Sequence, residues 1–162
     1  MMARRDKTNY YLDIAQAALE RGTCLRRNFG AIIVQNDEIV STGYAGAPRG
    51  RVNCSDLGCC TREQLGIPRG ERYELCRSVH AEANAIISAS RRDMLGGTLY
   101  LVGREAKSGD LTDAVPCSMC KRTIINSGIK DVVMRNADGS FIVVDVEQWI
   151  KEDESLPETA ER

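Results

Sequence analysis

Apolar residues at Tyr11, Leu12, Ile14, Ala15, Ala18 and Leu19 recur at near-helical spacing, which predicts an amphipathic helix over 9–20. Gly22 follows as its natural stop. The period then changes. Residues 29–34 and 39–43 read as strands, and the short polar Asn36-Asp37-Glu38 between them predicts a hairpin. From 45 to 77 the periodicity is weak and Gly, Arg and Cys are frequent. That stretch reads as one insertion packed on the fold, with a short helix near 61–65. A helix is predicted at 79–91, a strand at 98–102, a polar loop over 103–115, and a second helix from 117 to about 126 ending at Ser127-Gly128. Strands at 131–135 and 141–144 and a short helix around Trp149 follow. The acidic, polar stretch 151–162 reads as a disordered tail. The order α-β-β-α-β-α-β-β implies an α/β domain over 1–150 with a mixed five-stranded sheet covered by helices.

Composition narrows the function classes. A chain of 162 residues with 43% hydrophobic content is one domain with enough apolar material for a full core. The net charge of −1 argues against a nucleic-acid partner, which normally demands a basic surface. No apolar run reaches about 18 residues and no signal peptide is visible, which points to a cytoplasmic protein with no membrane partner. Seven cysteines in such a chain suggest metal ligation or free thiols before disulfides. No internal repeat or low-complexity block appears.

The chemistry concentrates in two short strings, His80-Ala81-Glu82 and Pro116-Cys117-Ser118-Met119-Cys120. His80 is the only histidine in the chain, so it is not one of many surface imidazoles that matched a pattern by chance. His80, Cys117 and Cys120 form a ligand set that favours zinc over harder ions. Three protein ligands leave the fourth tetrahedral position open, as in a catalytic site. Residues two apart on a helix point in different directions, so His80 can hold the ion while Glu82 reaches past it as general acid/base. Cys117 and Cys120, three apart, share a face, near a helix N-terminus whose dipole favours thiolate. Pro116 suits the first turn of that helix, where its missing N–H needs no partner. Plainer readings are a surface glutamate beside a buried histidine, or a metal site that is only structural. His-x-Glu followed by Pro-Cys-x-x-Cys is, however, the signature of the zinc-dependent nucleobase deaminases.

Cys24, Cys54, Cys59, Cys60 and Cys76 cluster around the insertion. Four thiolates make a closed structural zinc site, which suits a loop-rich segment. Cys24, Cys54, Cys60 and Cys76 form the candidate set. Only one of Cys59 and Cys60 fits easily as the fourth ligand, and Cys60 is preferred. The other reading is a group of buried free cysteines.

Over roughly residues 7–150 the chain resembles the deoxycytidylate deaminase family of the cytidine deaminase superfamily. Four stretches carry the resemblance. They are Cys24-Leu25-Arg26-Arg27-Asn28-Phe29-Gly30-Ala31, Gly43-Tyr44-Ala45-Gly46-Ala47-Pro48-Arg49-Gly50, His80-Ala81-Glu82-Ala83-Asn84-Ala85-Ile86, and the Pro-Cys-x-x-Cys string. The second is similar to the family's Gly-Tyr-Asn-Gly-x-Pro-x-Gly loop. Asn84 is typical of this branch, and the basic C-terminus of tRNA adenosine deaminases is replaced by an acidic one. The resemblance implies a three-layer cytidine-deaminase-like fold. It also implies hydrolytic conversion of deoxycytidine monophosphate (dCMP) to deoxyuridine monophosphate (dUMP) and ammonia, which supplies the thymidylate precursor. It further implies a homo-oligomer, a hexamer being favoured, and control by deoxycytidine and thymidine triphosphates (dCTP and dTTP). Cys24 and Cys54 fall where branch members place ligands of an additional zinc.

Asn28 is expected to hydrogen-bond the sugar as in relatives, or to be a turn residue. Gly30 and Ala31 would allow close approach to the base, with Ala81 and Pro116 completing the substrate contacts. Gly43, Tyr44, Gly46 and Arg91 match positions that serve effector or subunit contacts in the family. Arg49, like Arg26, Arg27 and Arg51, has the planar fork suited to phosphate. Two departures stand out. The family's loop asparagine is Ala45 here, which bears on allosteric control, and the 103–115 loop is long and lies beside the metal. They keep open a deaminase of another base, nucleoside or nucleotide of cytidine or guanine type. A non-catalytic zinc-binding scaffold is the rival of another class, and the intact Glu82 speaks against it.

Overall fold

The computed structural model describes residues 1–157. Helix α1 (Lys7–Leu19) starts two residues before the apolar pattern, because the Asp6 carboxylate accepts from the Asn9 N–H at 2.9 Å and caps it. Its buried stripe is Tyr11, Leu12, Ala15 and Leu19. Gly22 does not cap the helix. It leaves room for the Asn28 side chain, which a Cβ there would strike. Strands β1 (Arg27–Gln35) and β2 (Glu38–Tyr44) form the predicted hairpin. Asn36 and Asp37 turn it with φ of 49° and 61°, as a tight two-residue hairpin turn requires. Lys7 and Tyr11 both reach the Asp37 carboxylate, tying α1 to that turn.

The insertion carries two single-turn helices, α2 (Cys54–Leu57) and α3 (Thr61–Gln64), and a 3-10 turn at Tyr73–Leu75. The helix expected over 79–91 is two helices, α4 (Ala81–Ile87) and α5 (Arg91–Met94). Ser90 breaks it by capping the second piece at the Asp93 N–H. Strand β3 (Thr98–Glu105) outruns its apolar core, because β4 (Leu111–Thr112) pairs with Gly103 and Arg104. The polar loop expected from 103 is therefore partly sheet. Helix α6 (Ser118–Ser127) takes Cys117 as its N-cap, so Pro116 lies before the helix and not in its first turn. Strands β5 (Asp131–Arg135) and β6 (Phe141–Asp145) and helix α7 (Val146–Lys151) complete the chain. Helix α7 runs one residue into the expected tail, and the Lys121 ammonium reaches Glu154 at 3.3 Å. The rest of that tail, 158–162, lies outside the described residues.

The sheet order is β2-β1-β3-β5-β6, with β4 a short addition on β3. Only β3 and β5 pair in parallel, so the sheet is mixed. Central β1 buries both faces, which explains its continuous apolar run. Ile32 and Val34 meet α1 on one side, while Ala31 and Ile33 join Ala81, Ala85 and Ile124 on the other. Three layers result, with α1 on one face and α4, α6 and α7 on the opposite face. No helix of the described residues is long and apolar enough to cross a membrane.

Two glycines set the layer spacing. A Cβ at Gly30 would fall well inside 3.0 Å of the α1 backbone at Ala15 and Leu19. A Cβ at Gly43 would do the same to the α4 backbone at Ala81 and Ala85. Gly43→Ala should therefore lower the unfolding free energy by about 1–3 kcal/mol through overpacking, read as a lower urea midpoint. An unchanged midpoint would contradict this packing role.

Candidate active site

Helices α4 and α6 pack together, and each presents a ligand from its N-cap. His80 and Cys117 both have extended backbone, with ψ of 154° and 167°. Cys120 follows on the first turn of α6 and is buried. The Cys117 and Cys120 Sγ atoms lie 3.4 and 3.5 Å from His80 Nδ1. A tetrahedral zinc with bonds of about 2.3 Å to sulfur and about 2.0 Å to nitrogen spans about 3.5 Å between such atoms. The donor set and its spacing fit zinc. All three ligand atoms lie within 4.8 Å of one another, and among the described residues no other group does so.

The approach to α4 is fixed by backbone pairing. Gly46 and Val79 exchange N–H···O bonds of 3.2 and 2.7 Å. The Asn84 side-chain amide donates to the Tyr44 carbonyl at 2.8 Å and the Val79 carbonyl at 3.3 Å. His80 is thus held between an anchored strand end and an anchored helix.

The electrostatics are those of a metal-ligating cluster. Cys117 is drawn down to about 4, first by its hydrogen bond with Cys120 and then, against burial, by His80. Cys120 is pushed up by Cys117 and by burial. His80 is raised to about 10, chiefly by its hydrogen bonds with Cys117 and Cys76. Thiolate and imidazolium stabilise each other here, so binding an ion displaces protons. Glu82 is 4% exposed, and burial pushes its carboxyl up despite opposing backbone and His80 contributions. A carboxylate raised in this way is a better-matched proton acceptor near neutral pH.

A cavity of about 470 Å³ opens on this cluster, within the usual range for a small-molecule site. His80, Glu82 and Cys117 form its floor, and Phe29, Ala45, Ala81 and Val115 its apolar wall. Arg26, Arg27, Arg62 and Arg69 supply positive charge. The insertion contributes Arg62, Arg69, Gly70, Tyr73 and Cys76, so it is a wall of the site and more than a surface addition. Asp113 and Val115 bring in the long loop.

The expected substrate residues divide. Ala81 lines the cavity, while Asn28, Gly30, Ala31 and Pro116 do not. The Asn28 amide is spent on Cys24, accepting from its N–H at 2.9 Å and donating to its carbonyl at 3.1 Å. Gly30 faces α1, and Ala31 is wholly buried in the core. Among the expected effector residues, three make packing or hydrogen-bond contacts within the chain. Gly43 and Gly46 seat α4, and the Arg91 guanidinium donates to the Asn126 carbonyl at 3.1 Å. Tyr44 and Arg49 are exposed. Ala45, read as a departure in the effector loop, faces the main cavity instead. Arg62, Arg69 and Tyr73 were missed because the insertion has no periodicity to mark them.

Cys24, Cys54, Cys60 and Cys76 are not drawn into a second tight ligand set. Burial raises the Cys54 thiol, and Cys24, Cys76 and Cys60 add charge repulsion, so the four share one neighbourhood. Burial also pushes Cys76 up, but a hydrogen bond with His80 and the Ser78 backbone outweigh it and hold it low. All seven cysteines are free thiols.

Residues 5–136 match the family model described as the cytidine and deoxycytidylate deaminase zinc-binding region. The chain is 40% identical over 136 residues to the deoxycytidylate deaminase of Mycobacterium phage D29, covering 82% of this chain and 96% of that one. It is 33% identical over 125 residues to the Schizosaccharomyces pombe deoxycytidylate deaminase, covering 77% of this chain but only 35% of the yeast protein. Among solved structures, the apo dCMP deaminase of cyanophage S-TIM5 is similar with a TM-score of 0.59 at 26% identity, covering 83% of this chain and 86% of that one. With its ligand triad, buried glutamate and three-layer fold, the chain belongs to the cytidine and deoxycytidylate deaminase zinc-binding family.

Proposed function

We propose that this protein is a zinc-dependent hydrolase that converts dCMP to dUMP and ammonia. The carrying observation is the convergence of His80, Cys117 and Cys120 beside a cavity lined by His80, Cys117, the buried Glu82 and four arginines. The names of the phage and yeast relatives support the same substrate. When bound by the triad, zinc supplies a Lewis acid that brings the pKa of water at its open position down to roughly 7. Glu82 does the proton work. Its carboxylate takes a proton from the attacking water and delivers it to the ring nitrogen beside the amino-bearing carbon. It then moves the second proton to the departing amino group, which leaves as ammonia while the ring carbon keeps the oxygen. Phe29 offers an aromatic face to the pyrimidine, and the apolar wall keeps bulk water from the reacting carbon.

Ammonia release from the zinc-loaded protein tests the substrate. Turnover should be fastest with dCMP and much slower with deoxycytidine, cytidine, cytidine monophosphate and guanine. A preference for any of the others would replace the substrate in this reading.

The same reading extends to a cytoplasmic homo-oligomer, a hexamer being favoured, with dCTP and dTTP as effectors. Support for self-association comes from β6 at the sheet edge, where Phe141, Ile142 and Val143 are exposed in a row. Tyr44 and Arg49 are the effector-loop side chains left exposed for a nucleotide. A second, structural zinc held by Cys24, Cys54, Cys60 and Cys76 belongs to the reading too. Its support is the shared neighbourhood of the four thiols, which an ion would draw together. The unsubstituted protein should then carry two zinc ions per chain and Cys54→Ser one. One zinc in both would remove the second site.

A further inference from the structure

Four arginines border the cavity, and three of them already have partners. Arg26 pairs with Glu63 at 3.2 Å, while Arg27 and Arg69 share Glu105 at 2.7 and 3.4 Å. Arg62 differs. It is 6% exposed, and its Nε and Nη2 are buried without any hydrogen-bond partner. Its guanidinium carbon lies 4.4 Å from the centre of the Tyr73 ring. Glu74 and Cys76 both feel its charge, but Glu74 is already engaged by Arg72 and neither side chain hydrogen-bonds the buried Arg62 nitrogens. Attraction to an aromatic face offsets part of the cost of burying a cation, but an unpaired buried charge still calls for an anion.

The position indicates which anion. The Tyr73 ring stacks edge-on to His80 with centroids 5.1 Å apart. His80 and the Arg62 guanidinium thus share the Tyr73 ring as a neighbour and line the same cavity, so the cation lies no farther from the metal ligand than these two spans together, within a nucleotide's reach from base to phosphate. We propose that Arg62, on the insertion helix α3, is the specificity-determining residue that receives the substrate's 5′-phosphate. Its planar fork turns from the Tyr73 face to make a bidentate pair with the phosphate oxygens. The insertion thereby makes the site select a nucleotide over a nucleoside. This assignment rests on the nucleotide reading given above.

The test compares Arg62→Gln and Arg62→Lys with the unsubstituted, zinc-loaded enzyme. The readouts are kcat/KM for dCMP and for deoxycytidine, inhibition by inorganic phosphate, and zinc content. Arg62→Gln should lower the dCMP-to-deoxycytidine ratio on the order of 100-fold, the size of one lost bidentate charged contact. Inhibition by phosphate should weaken in parallel, and zinc content should hold. Arg62→Lys, which keeps the charge and folds more safely, should restore part of both. An unsubstituted enzyme that prefers the nucleotide, with the ratio unchanged in both variants, would overturn the assignment alone. Equal losses on both substrates together with lost zinc would also overturn it, making Arg62 a countercharge to the cysteine cluster. No nucleotide preference in the unsubstituted enzyme would overturn the substrate reading and this assignment with it.

Discussion

Helix α4 carries both His80 and Glu82, and its distance from the sheet is set by Gly43, whose missing side chain lets the Ala81 and Ala85 backbone close in. The same contact brings Asn84 within reach of the Tyr44 and Val79 carbonyls. Ser41 adds a hydroxyl bond to the Ala85 carbonyl at 2.7 Å. Sheet, loop and helix are therefore locked around the residue that starts the helix. That residue is a metal ligand, so the packing constraint is also a constraint on ligand geometry.

Once α4 is seated, the electrostatics follow. Glu82 is carried into a pocket with two thiols and an imidazole, where its charge is costly unless a cation is near. An ion held by His80, Cys117 and Cys120 would supply that compensation and would acidify water within the carboxylate's reach. Positive charge also lines the cavity, from Arg26 and Arg27 at the start of β1 and from Arg62 and Arg69 of the insertion. On the proposed reading, one cavity serves both proton chemistry at Glu82 and anion recognition by arginine.

The chemical core was legible in the sequence because it is written in contiguous strings. His80-Ala81-Glu82 and Pro116 to Cys120 each sit at one helix start, so local spacing carries the geometry. The first helix and first strand were legible from period, since Tyr11 to Leu19 follow helical spacing and 29–34 read as a strand. What the strings do not carry is tertiary. Asn28, Gly30 and Ala31 lie next to one another in sequence, yet strand alternation sends Gly30 toward α1 and Ala31 into the other core. Nothing in the local string shows which face meets the ligand. The insertion was opaque for a different reason. Its short helices bury few apolar residues, so Arg62 and Tyr73 reach the cavity through loop path and not through periodicity.

On the proposed mechanism Glu82 moves protons and does not hold the metal. Measuring bound zinc and dCMP turnover together in Glu82→Gln tests it most directly, because the amide keeps the shape but accepts no proton. The variant should keep a full catalytic-site zinc content with turnover reduced at least about 100-fold. Near-normal turnover with zinc bound would contradict it, and loss of the zinc would show that Glu82 belongs among the ligands.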